Sequence, residues 1–159
     1  MRCSSCCVLV VFALSAPAAP PDRTLTRDGK LAQPLVVRDV QGGFAGFTGR
    51  EWSVDPSGAF TVAMVRNRKA DVVKKGDLPP ERLAALAKEL SRCDAAKELA
   101  PARPFQGANP RVVSVKVGGK EFTLRLRGGQ ELPEPGPGKL PASEAEWFGV
   151  VVRAVQKGL

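Results

Sequence analysis

The segment Gly42-Gly43-Phe44-Ala45-Gly46 constrains this chain more than any other, because it stands between two runs with the apolar patterning of strands. Three glycines in five positions call for a backbone that turns through positive φ or comes very close to a neighbouring segment. Leu35 to Val40, rich in β-branched residues, leads in. Phe47 to Val54 leads out, with Trp52 and Val54 on one side of the strand and Glu51 and Ser53 on the other. The pattern predicts an antiparallel hairpin with the glycines at its corner.

The remaining elements follow from local rules. Asp55-Pro56-Ser57-Gly58 has proline second and glycine fourth, the arrangement of a type I turn. In the next strand Phe60, Val62 and Met64 alternate with Thr61, Ala63 and Val65, and Asp71 to Lys74 either prolongs it or pairs as a short extra strand. Pro80 opens a helix whose apolar face is Leu83, Leu86, Ala87, Leu90 and Cys93, and Pro101 and Pro104 close that region. A two-residue turn at Gly118-Gly119 would oppose Val115 to Phe122, Val113 to Leu124 and Lys116 to Glu121, apolar pairs on one face and opposite charges on the other. Arg127 to Pro141 is a glycine- and proline-rich loop, either mobile or used for binding. Ser143-Glu144-Ala145-Glu146 reads as a capping box before a helix with Trp147, Phe148, Val151, Val152 and Val155 on its apolar side. The sum is one α+β domain over residues 35–159: an antiparallel sheet of about four to six strands with two main helices packed on one face.

A chain of 159 residues, 43% hydrophobic, is enough for one domain with a core. Its first residues run Met1-Arg2, then an apolar block from Cys7 to Leu14, then Ser15-Ala16-Pro17-Ala18, the three zones of a secretory signal cut near Ala18. Export to the periplasm or the exterior is the expectation. The block is too short for a permanent transmembrane anchor, which takes about 20 apolar residues. Cys3, Cys6 and Cys7 come before the end of the block and not at it, as a lipid acceptor would, and they leave with the signal. Cys93 then stands alone as a small hydrophobe without a disulfide. Residues 19–34, with Pro20, Pro21 and Pro34 and no apolar period, read as a flexible leader.

Histidine and tyrosine are both absent, which removes every imidazole base, the serine and cysteine triads and the H-E-x-x-H zinc site. Carboxylates remain. Asp39, Glu51, Asp55, Glu131 and Glu134 suggest solvated charge, not an acid–base pair, so no catalytic residue, cofactor or metal is expected. The glycine corner lacks the Lys-Ser/Thr of a phosphate loop and runs on into a strand, not a helix. The formal charge of +8 favours acidic partners, but the basic stretch from Arg66 to Lys75 holds no aromatic residue to stack on a base, so nucleic acid is not the expected partner. What is left is contact. The predicted partner-binding residues, chosen for exposure and position, are Gly42, Gly43, Phe44, Gly46, Phe47, Arg50 and Trp52, since aromatics and arginine dominate interface hot spots. The alternative is an envelope domain with a structural or wall-polymer-binding role, in which the basic surface matters and the corner is only a turn.

A strand running into Gly42-Gly43-Phe44-Ala45-Gly46, then a strand, an acidic turn, a helix with Leu83, Leu86 and Leu90, a β-hairpin and a closing helix resembles the emfourin family, small bacterial inhibitors of thermolysin-like metalloproteases. The similarity spans residues 35 to 157. It implies an α+β domain that occludes a secreted protease's cleft without chemistry of its own.

Overall fold

Strands β1 (Thr26–Arg27) and β2 (Lys30–Leu31) form a small antiparallel hairpin ahead of the main sheet. β3 (Leu35–Gly43), β4 (Gly46–Val54), β5 (Ala59–Arg66) and β6 (Lys69–Asp77) form a meander, followed by helix α1 (Pro80–Ala95). The hairpin β7 (Arg111–Val117) and β8 (Lys120–Leu126) and helix α2 (Glu144–Gly158) complete the chain. The computed structural model describes residues 23–67, 69–103 and 105–159. The expected export signal and residues 19–22 of the expected leader lie outside the described residues. No described helix is long and apolar enough to cross a membrane.

All six strands of the main sheet are antiparallel, in the order β6-β5-β4-β3-β7-β8. The α+β architecture is therefore the one the patterning predicted. Turn chemistry sets the registers. Gly118 and Gly119, with φ of 56° and 79°, make the two-residue turn that opposes Val115 to Phe122, Val113 to Leu124 and Lys116 to Glu121. The Gly58 N–H donates to the Asp55 carbonyl at 2.8 Å, closing the turn between β4 and β5.

One face of the sheet is apolar because each strand contributes alternate residues to it. Leu35 and Val37 lie beside Trp52 and Val54 on one side and Val115 and Val117 on the other, and Phe60, Val62, Leu124 and Leu126 extend the layer. α2 covers it with Trp147, Phe148, Val151, Val152 and Val155, and α1 packs against α2 through the buried residues Leu86, Ala87, Leu90 and Cys93. The predicted cap of α2 is present but shifted. The Ser143 hydroxyl accepts from the Glu146 N–H at 3.2 Å, whereas the Glu146 carboxylate accepts from the N–H of Ala142, one residue earlier than a capping box has it.

Two expectations need correction. Residues 23–34 are not a loose leader: Leu25 and Leu31 are buried in the core, and the Asp94 carboxylate at the end of α1 accepts from the Leu25 N–H at 2.7 Å, the Thr26 N–H at 2.8 Å and the Thr26 hydroxyl at 2.5 Å. Of the two alternatives for the loop after β8, mobile or used for binding, the contacts speak against the first, because arginines fasten it. Arg153 donates to the carbonyls of Leu132 and Pro133 and pairs with Glu134 at 2.6 Å, Arg111 donates to Gln130 and Arg92 to Lys139.

Candidate functional site

The corner between β3 and β4 is a two-residue turn. Gly43 and Gly46 pair across it, Phe44 and Ala45 form the tip, and Gly46 takes the positive φ, 95°, that closes it. Neighbouring loops brace the hairpin on both sides. The Gly42 N–H donates to the Pro110 carbonyl at 2.8 Å and the Asn67 N–H to the Phe47 carbonyl at 2.5 Å. The Asn67 side chain lies over Gly46 so closely that a Cβ there would fall 1.7 Å from its Oδ1. The tip is therefore a fixed projection from the middle of the sheet.

Phe44 is wholly exposed and Phe47 is 39% exposed, the pair forming the apolar surface at this end of the molecule. Phe47 leans over Gly42 and toward Pro110, where a Cβ on Gly42 would come within 3.3 Å of its ring. The seven predicted contact residues do not form one surface. Strand alternation sends Phe47 to the uncovered side of the sheet and Arg50 and Trp52 to the helix-covered side. Trp52, 6% exposed, belongs to the core cluster, and its packing under the helices removes it from any contact surface. Gly42 is buried beneath Phe47; it shapes the tip and is not available to touch a partner.

On the helix-covered side, below the tip, the sheet extends past the end of α2 and leaves a cleft of about 680 Å³ lined by Asp39, Arg50, Lys74, Arg111 and Gln156, among others. Asp39 and Arg111 form a two-bond fork, Nε to Oδ1 at 2.9 Å and an Nη to Oδ2 at 2.7 Å. The Asp39 hydrogen bond outweighs burial and raises the Arg111 pKa further above its ordinary value. Arg50 lies directly across from Asp39 in register, but both oxygens of that carboxylate are committed to Arg111, and among the described residues Arg50 has no ion pair.

Other exposed cations gather at the same end. Arg66 and Lys69 flank the tip on the β5–β6 side and Arg127, one residue past β8, on the other, and none has an ion pair among the described residues. Nothing in the local sequence marks them for the site. Only the strand order, which puts the β5–β6 turn and the end of β8 beside the tip, could reveal them. Glu134, by contrast, is taken by Arg153 and is not available as half of a carboxylate pair. The sequence matches no family model and no curated protein.

Proposed function

We propose that this protein is a binding domain that works through the β3–β4 tip, and that its partner is another protein. By its resemblance to the emfourins, that partner is a secreted thermolysin-like metalloprotease whose cleft the tip blocks. The supporting observation is the wholly exposed Phe44 ring on a short, braced turn. An aromatic left in water by a rigid projection costs nothing to reorganise on docking and loses its hydration there, the properties of an interface anchor. Gly43, Ala45 and Gly46 keep the apex narrow enough to enter a cleft.

Inhibition assays against several thermolysin-like enzymes test this. Phe44→Ala is expected to weaken inhibition about tenfold or more, since truncating an anchor costs about 2 kcal/mol, while the melting temperature stays within about 2 °C. Phe47→Asp should weaken it as well. Absence of inhibition by the parent protein, or indifference to Phe44→Ala, ends the reading. The cations around the tip favour a second one, an envelope domain that binds anionic wall polymer. Binding that falls steeply with salt and ignores Phe44→Ala would select it.

A further inference from the structure

We propose that β6 is an interface between two copies of this chain, pairing antiparallel about a two-fold axis so that Asp71 of each copy faces Lys74 of the other. β6 is the outermost strand of its side of the sheet, is nine residues long, and every residue in it is exposed. Val72 and Val73 are 59% and 60% exposed at its centre. A long edge with two adjacent bare valines is a feature that soluble sheets avoid unless something pairs with it.

The irregularity in β6 makes this edge self-complementary. Val62 pairs with Lys74 and Ala63 with Val72, so Val73 is an extra residue bulged out of the ladder. Asp71 and Lys74 are three apart, and in a regular strand they would point to opposite faces. With the bulge between them both fall on the helix-covered face, Asp71 opposite Met64 and Lys74 opposite Val62. Residues directly opposite in an antiparallel pair share a face, so two copies of β6 related about the midpoint between Val72 and Val73 bring Asp71 against Lys74 twice. The valines meet in the middle, and Lys69 faces Gly76. A slip of one residue in one direction sets Asp71 against Lys75, which pairs with Thr61 and points to the other face. A slip in the other direction sets Asp71 against Val73. Of the registers that overlap β6 over more than three residues, only this one sets opposite charges together on one face.

Lys69, Lys74 and Lys75 by themselves are the residues that guard an edge against pairing, because like charges would meet. Asp71 reverses this for Lys74 in the two-fold register alone, which favours one symmetric partner over open-ended stacking. The Lys74 amine lies over the helix-covered face, the face that Asp71 shares, and is held inward by the Leu159 carbonyl and the Phe60 ring, 5.4 Å from its centroid, so it swings outward across the edge to meet the second copy's Asp71. The contact is small, so the dimer is weak and reversible.

Sedimentation equilibrium of the full chain, from about 5 to about 500 µM, tests the pairing. The expected result is a monomer–dimer equilibrium that Asp71→Lys and Lys74→Asp each weaken about tenfold or more, and that the double exchange restores to within about threefold. A chain that stays monomeric throughout overturns the proposal. So does a dimer indifferent to both single exchanges, or a double exchange as weak as the singles. None of these outcomes bears on Phe44, which sits on a different hairpin.

Discussion

Gly49 illustrates how one residue can be indispensable through the side chain it lacks. It pairs with Val40 on one side and Val65 on the other, and both valines are buried on the face of the sheet that the helices leave uncovered. A Cβ at this position would fall 2.0 Å from the Asp39 carbonyl oxygen and 2.7 Å from the Val40 Cα. The missing side chain lets β3 approach β4 and lets the valines close over the gap. Gly49→Ala should therefore cost about 3 kcal/mol, read from the denaturant midpoint, because the clash is with backbone that cannot move aside cheaply. Cys93 makes a different prediction. Burial, with the Asp94 charge adding to it, pushes its thiol up to about 12, so the thiolate needed for reaction is absent near neutrality. Ellman's reagent at about pH 8 should leave Cys93 unmodified in the folded protein and label it fully in denaturant. Rapid labelling under native conditions would contradict its placement in the core.

Among the elements, the hairpin of β1 and β2 departs furthest from what its sequence suggests. Two leucines in a proline-containing stretch give no period to read, yet both are core residues: Asp94 at the end of α1 holds the backbone of Leu25 and Thr26, and Leu31 pairs with Thr26 across the hairpin. Leu25→Ala should destabilise the fold by about 2 to 4 kcal/mol in equilibrium denaturation, as for other buried leucines; a true leader would show no change. The segment is also tied down by Arg23, which contacts the Glu144 carboxylate at 2.6 Å and lies 5.1 Å from the Phe122 ring centroid. Burial, the largest influence on Glu144, would raise its pKa, but the hydrogen bonds from Arg23 and the Ala102 N–H, together with the Arg23 charge, outweigh it and hold the pKa below the ordinary 4.5. A folded value below the unfolded one means the stabilisation is complete above the unfolded pKa and fades as pH falls through the folded one. The protection of the amides from Thr24 to Leu31, taken relative to an intrinsic exchange rate that itself slows over this range, should therefore fall as pH is lowered from about 5 to about 3, and Glu144→Gln should remove that dependence.

For the whole molecule the decisive contact is the seam between β3 and β7, where a four-strand meander meets a hairpin more than thirty residues further along the chain. Asp39 and Arg111 clasp it with side chains only 14% and 21% exposed. Arg111→Ala leaves a largely buried carboxylate without its partner and should cost about 2 to 4 kcal/mol, whereas replacing both residues by apolar ones should cost less. Chemical denaturation of the single and double variants checks the ordering. The same seam places the end of β8 beside the β3–β4 tip, and so gathers exposed arginines around Phe44 that are far apart in sequence.

Within one element and its turn, the sequence determined nearly everything: the glycine corner, the register of β7 against β8, the start of α1 at Pro80 and of α2 after Ser143, and the apolar face of each strand. These depend on φ preferences, missing N–H groups and a two-residue alternation, all settled within a few residues. The alternation also contained the division of Phe47 from Arg50 and Trp52, since three and five residues of strand lead to the opposite face. Only the tertiary structure decided that β3 lies next to β7, that Trp52 and Leu25 are interior, that arginines fasten the long loop, and that a bulge puts Asp71 and Lys74 on one face. Each of those depends on which distant backbone comes within hydrogen-bonding or packing distance, and a choice among long-range partners leaves no periodic trace in the chain that makes it.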